Sequence, residues 1–181
     1  AYRMNHTYLT GGNDTFHGTN ASDNLDSGAG NDVIYGNNGN DTLKGQSGDD
    51  IIWGGTGNDI IEGGDGIDYA NFSGKFSDYS FSRQGLTLKV IDNRNSQYRW
   101  EDTLNDIEML CFSDQTIKES KVDITKIYRG QFSDYKFYNK GNGVYEIKTD
   151  SGYDDITGIP LLTFTGEATT SSFRDISAIT D

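Results

Sequence analysis

From about residue 9 to residue 71, six polar or glycine positions alternate with three positions rich in large apolar side chains. Val33-Ile34-Tyr35, Ile51-Ile52-Trp53 and Ile60-Ile61-Glu62 are such triplets. Val, Ile, Tyr and Trp favour strands, and the intervening Gly, Asn, Asp and Ser favour turns. The pattern predicts one turn and one short strand per nine residues. Six residues are too few for a helical crossover between parallel strands. The chain is therefore expected to wind as a flattened spiral, with one strand in each of two sheets per eighteen residues. Alternation along a strand points the middle residue of each triplet inward: Phe16, Leu25, Ile34, Leu43, Ile52, Ile61 and Ala70. The outward residues sort into two faces. One, with Thr15/His17, Val33/Tyr35, Ile51/Trp53 and Tyr69/Asn71, is apolar and aromatic; the other, with Asn24/Asp26, Thr42/Lys44 and Ile60/Glu62, is polar.

An aspartate keeps the same period: Asp14, Asp23, Asp32, Asp41, Asp50, Asp59 and Asp68. Turns on one edge come from every second unit and stack about 4.8 Å apart, so their aspartates stack too. Two carboxylates about 5 Å apart repel by about 1 kcal/mol in water and by roughly 3 kcal/mol at an effective dielectric of 20. Such a column calls for a counter-ion, and Ca²⁺, a hard cation that takes carboxylate and backbone carbonyl oxygens, suits it. Glycine lets the turn backbone aim its carbonyls in conformations a Cβ would block. The units are unequal. Leu9-Thr10, Thr19 and Ala21 stand where glycines are expected, Asn37 and Gln46 replace a glycine, and Ile67 and Ala70 weaken the last unit. The best ion sites are expected around Asp32, Asp41, Asp50 and Asp59.

Charge supports the same picture. The net charge is −13, and residues 1–74 hold 11 acidic side chains against 2 basic ones. Divalent ions would cancel that excess. No basic patch dense enough for nucleic acid is present, and no apolar run is long enough to span a membrane as a helix. With one inward residue per nine, the core is thin, so metal binding is expected to be part of the folding free energy.

The units GNNGNDTLK (36–44), GQSGDDIIW (45–53) and GGTGNDIIE (54–62) resemble the repeats-in-toxin (RTX) nonapeptide G-G-x-G-x-D-x-U-x, with U apolar. The resemblance runs from about Leu9 to Asn71. It implies a calcium-binding parallel β-roll with ions held between units n and n+2, about five at most for seven units. The implied binding set is the seven aspartates with the turn residues Gly28, Gly30, Asn37, Gly39, Gln46, Gly48, Gly55, Gly57, Gly64 and Gly66. It also implies a bacterial protein, secreted or at the cell surface, exported by a type I system while unfolded in low-calcium cytosol. No export signal is recognised in Ser171 to Asp181, and no classical leader opens the chain. The start at Ala1 without an initiator methionine is expected of a part excised from something longer.

After Gly74 the nine-residue phase stops and a duplication begins. FSGKFSDYSF (72–81) returns as YRGQFSDYKF (128–137), LTLKVID (86–92) as VYEIKTD (144–150), and DTLNDIEMLCFS (102–113) as DDITGIPLLTFT (154–165). Alternating Tyr, Phe, Val, Ile and Thr predict short strands in both copies. The first copy resembles the β-segment that often follows RTX rolls, and a roll's exposed last edge needs a cap. The second copy departs where Glu108 becomes Pro160 and Asp114 becomes Gly166. The expected fold is all-β: a calcium-binding parallel β-roll (9–74) followed by a duplicated antiparallel β-rich cap region, first copy 75–127 and second copy 128–181.

No catalytic constellation is visible. The histidines are His6 and His17, far in sequence from Cys111, and no H-E-x-x-H motif occurs. Cys111 forms no intrachain disulfide, being alone, and reads as a buried structural thiol. The expected function is a noncatalytic calcium-binding module that folds after secretion and supports an attached enzyme or adhesin. The alternative is an extracellular polysaccharide-binding module, of mannuronan-epimerase or adhesin type, using the aromatic face at Tyr35, Trp53 and Tyr69.

Overall fold

The structure is a computed structural model and describes residues 7–8, 11–167 and 171–172. His6, Leu9, Thr10 and residues 173–181, within the stretch where no export signal is recognised, lie outside the described residues. The chain divides into two compact units, residues 1–120 and 121–181. Among the described residues the regular elements are strands and three short 3-10 turns.

In the first unit, eight strands wind the spiral: β1 (Thr7–Tyr8), β2 (Thr15–His17), β3 (Asn24–Asp26), β4 (Val33–Tyr35), β5 (Thr42–Ser47), β6 (Ile51–Trp53), β7 (Ile60–Asp65) and β8 (Tyr69–Asn71). β1 to β6 each pair in parallel with the strand two further on. Phe16, Ile34, Ile52 and Ala70 therefore lie side by side in one sheet, and Leu25, Leu43 and Ile61 in the other. All seven are buried, at 2 % exposure or less. Burying a large aliphatic or aromatic side chain in this way stabilises by about 1.5–3 kcal/mol. The turns also stack. β5 and β7 run on into them with Gln46 opposite Gly64 and Ser47 opposite Asp65, and the Gly30 and Gly48 N–H groups donate to the Ser47 and Asp65 carbonyls at 2.8 and 2.9 Å.

The spiral continues past Gly74, where the nine-residue phase ends. β9 (Tyr79–Gln84) and β10 (Thr87–Asp92) form an antiparallel hairpin on β11 (Glu101–Asn105), and β11 runs parallel to β7 with Leu104 beside Ile61. β12 (Met109–Cys111) runs parallel to β8 with Leu110 beside Ala70, and β13 (Thr116–Lys118) closes that sheet antiparallel. One further parallel turn is thus built from a segment of different spacing, and antiparallel strands then cover both edges, which otherwise expose unpaired N–H and C=O groups. Phe72, Phe76 and Phe112 pack beneath it, with ring centroids 5.4 Å apart for Phe72–Phe112 and for Phe76–Phe112.

The second unit repeats that plan. β14 (Thr125–Tyr128) runs parallel to β18 (Leu161–Phe164), as β8 does to β12. β15 (Phe137–Asn139), β16 (Tyr145–Thr149) and β17 (Gly152–Asp155) form an antiparallel set like β9 to β11, and β19 (Ser171–Ser172) pairs with β18. Its core is Ile147, Ile156, Leu162 and Phe164. The shared FSD turn is closed alike in both copies: the Lys75 N–H donates to Asp78 and the Gln131 N–H to Asp134, both at 2.8 Å. Asp114 accepts the Phe76 N–H; in the second copy Glu167, one residue past the aligned Gly166, accepts the Phe132 N–H.

Candidate metal centre

Each repeat aspartate lies where the turn enters the next strand, and the eighteen-residue register stacks the aspartates in two columns. In Asp32, Asp41, Asp50, Asp59 and Asp68 one carboxylate oxygen serves the column itself. The N–H groups of Asp14, Asp23, Asp32, Asp41 and Asp50 donate to Oδ1 of Asp32, Asp41, Asp50, Asp59 and Asp68, at 2.8 to 2.9 Å. The columns then cross into the segment beyond Gly74. Asp102 Oδ1 accepts the Asp59 N–H at 2.9 Å, and Glu108 Oε2 accepts the Asp68 N–H at 2.8 Å. Sequence reasoning missed both residues because it followed the period of nine. The signal was there in Asp102-Thr103-Leu104, which repeats Asp41-Thr42-Leu43.

The other oxygen is left over. Oδ2 of Asp32, Asp41, Asp50, Asp59 and Asp68 is buried with no hydrogen-bond donor. Around it the first residue of the unit must be small. A Cβ on Gly36 would lie 2.6 Å from Asp41 Oδ2, and one on Gly45 would lie 2.6 Å from the Gly63 carbonyl and collide with Asp50 Oδ2. The same spot at Gly63 is flanked by Asp68 Oδ2 and the Asp106 carbonyl. These leading glycines were absent from the expected binding set, which took the second and fourth positions of each unit. The residues at those positions, Gly28, Gly30, Asn37, Gly39, Gln46, Gly48, Gly55, Gly57, Gly64 and Gly66, are all left-handed. Asn37 and Gln46 hold φ of 72° and 74°, unfavourable for residues with a Cβ.

A buried carboxylate oxygen without a donor is stable only if protonated or neutralised by a cation. Burial pushes the Asp41 carboxyl up to about 7 and those of Asp50, Asp59 and Asp68 up to about 6, against the stacked N–H bonds that lower them. Burial, with Asp59 adding repulsion, raises Asp102 to about 8. Among the described residues no three Asp, Glu, His or Cys side chains converge on one point. An ion here would therefore draw on one carboxylate per turn and on backbone carbonyls. That all-oxygen set fits Ca²⁺ and not the nitrogen and sulfur donors zinc prefers.

The remaining candidates lie elsewhere. His17, Tyr35 and Trp53 stack in one column on the outer face, with centroids 4.8 and 6.4 Å apart. Tyr69 is not in it: it pairs with Ile51, while Asn71 follows Trp53. Beside that column is a cavity of about 130 Å³ lined by Trp53, Asn71, Tyr79, Arg94, Trp100 and Asp102 among others. Asn71 Oδ1 is buried there without a donor. Cys111, expected to be buried, is a free, half-buried thiol near the Thr116 hydroxyl, because it is an outward residue of its strand beside the inward Leu110.

The RTX calcium-binding nonapeptide repeat (four copies) matches residues 8–43 and 35–70. Among solved structures, the chain is similar to the extracellular lipase LipA from Serratia marcescens, with 19% identity, 82% of this chain covered and a TM-score of 0.39. It spans 20% of the lipase chain. It is also similar to the AlgE6R3 subunit from the Azotobacter vinelandii mannuronan C5-epimerase, with 23% identity, 54% of this chain and 73% of that chain covered, and a TM-score of 0.29. No curated protein matches. RTX repeats of this kind bind calcium and are typical of secreted bacterial proteins, and no helix among the described residues is long and apolar enough to cross a membrane. Residues 8–70 of this chain belong to the RTX calcium-binding nonapeptide repeats.

Proposed function

We propose that the chain is a noncatalytic calcium-binding module that folds on calcium after secretion and supports an attached enzyme or adhesin. The roll of residues 9–74 is the calcium-binding part, with up to about five ions for its seven units. The two copies, 75–127 and 128–181, form the cap region. The observation that carries this reading is the set of five buried, donorless Oδ2 atoms from Asp32 to Asp68. Five uncompensated carboxylates in a thin core oppose folding at neutral pH; five ion-bound ones favour it. A low-calcium cytosol would keep the roll open for export, and calcium outside the cell would close it. The test is circular dichroism of the full chain in chelator and in millimolar calcium. Calcium-dependent gain of strand signal is expected; equal strand content in both conditions sinks the reading.

A second reading is binding of an extracellular polysaccharide. The stacked His17–Tyr35–Trp53 column and the adjoining cavity, with Trp100 and the donorless Asn71 Oδ1, support it. Flat aromatic faces beside polar groups suit sugar rings. Glycan affinity of the calcium-loaded chain, lost in Trp53→Ala, is the expected result, and silence across a glycan array removes this reading.

A further inference from the structure

We propose that the turn at residues 18–23 takes no calcium ion, because Thr19 already satisfies the carboxylate that would bind it. This rests on the calcium reading above and departs from the expectation that places Asp23 with the other six aspartates in the binding set. Asp23 is buried, at 5 % exposure, yet its Oδ2 is not donorless. The Thr19 N–H donates to Asp23 Oδ2 at 2.6 Å, and the Thr19 hydroxyl lies 3.0 and 3.1 Å from Oδ2 and Oδ1. The Ala21 N–H donates back to the Thr19 hydroxyl at 3.1 Å and closes the turn.

The backbone agrees. In the five later turns the second and fourth residues are left-handed, whereas Thr19 and Ala21 are not. A β-branched threonine is among the residues least able to adopt that conformation. The turn therefore does not aim its carbonyls as the later ones do, and both oxygens of its carboxylate are taken by its own threonine. Asp23 remains part of the column, since its N–H still donates to Asp41 Oδ1 at 2.8 Å. The second turn is a rung held by its own hydroxyl, and the ions belong to later turns, whose Oδ2 atoms have no such partner.

The test is a count of bound ions per full-length chain, by calorimetry and elemental analysis at saturating calcium. Asp23→Asn is expected to bind as many ions as the unaltered chain, and Asp41→Asn at least one fewer. Thr19→Gly combined with Ala21→Gly, which frees the carboxylate and permits the left-handed turn, is expected to bind one more. An ion lost in Asp23→Asn, or no gain in the double-glycine chain, overturns the proposal. An unaltered chain that binds no calcium overturns instead the reading on which it rests.

Discussion

Gly45 and Gly85 separate two reasons for a glycine. Gly85 holds φ of 62° in a hairpin turn, with no atom within 4 Å of the place a methyl would occupy, so only backbone strain opposes a side chain there. Gly85→Ala is expected to cost about 1–2 kcal/mol, the left-handed penalty of a residue with a Cβ, and to leave calcium affinity unchanged. A methyl on Gly45 meets the Gly63 carbonyl and the Asp50 carboxylate, neither of which can yield without opening the stack. Gly45→Ala is expected to destabilise the calcium-loaded chain by about 3 kcal/mol or more and to weaken calcium binding at least tenfold. Thermal melts and calcium titrations of the two variants check this, and equal effects would remove the leading glycine from the site. The aspartates were legible in the sequence because they keep the phase. Which oxygen of each bonds the neighbouring turn, and which is left over, depends on contacts eighteen residues away.

At the scale of elements, the expected turn-plus-strand unit appears in each repeat, and alternation assigned its inward residues correctly because one face of each repeat strand is buried, which pins the register. The extra turn formed by β11 and β12 leaves one trace in the sequence, the repeat of Asp41-Thr42-Leu43 as Asp102-Thr103-Leu104, but its spacing breaks the period. The pairing of Leu104 with Ile61 and Leu110 with Ala70 shows that it occupies the next rung. Asp102 tests that placement. Asp102→Ala leaves the buried Asp59 N–H without an acceptor and should cost about 1–3 kcal/mol. Asp102→Asn keeps an amide oxygen in reach and should cost less. Denaturant unfolding in saturating calcium distinguishes the two; if they are equally stable, the bond to Asp59 is not what holds the last turn.

At the scale of the molecule, the columns tie stability to pH and metal. A carboxyl whose pKa is higher folded than unfolded holds more protons in the folded chain. Its stabilising contribution is whole below about pH 4 and is lost as pH rises through the folded values, about 6 for Asp50, Asp59 and Asp68, about 7 for Asp41 and about 8 for Asp102. The metal-free chain should therefore melt at a higher temperature at pH 5 than at pH 8, and saturating calcium should reverse the order, since calcium needs the deprotonated form. A metal-free chain more stable at pH 8 contradicts the burial of these groups. The second unit is held differently. Lys126 stands opposite Leu162, the place that Ala70 holds opposite Leu110. Its ammonium donates to Asp154 Oδ1 at 3.0 Å, while the Tyr128 hydroxyl donates to Oδ2 at 2.6 Å. Both oxygens have donors from the chain itself, so hydrogen exchange at Ile147, Leu162 and Phe164 should stay slow in chelator while the roll exchanges. Rapid exchange at those three residues would show that the second unit also depends on calcium.

By itself the sequence determined the all-β class, the winding, the inward residues and the kind of ion. These follow from a strict period, from strand alternation and from the hardness of carboxylate and carbonyl donors, all local properties repeated along the chain. Tertiary structure alone decided where the spiral ends, which carboxylate oxygens lack a donor, and that Thr19 closes one turn from within. Each of these depends on which residue comes to lie beside which across turns of the spiral, and no spacing along the chain encodes that once the period breaks.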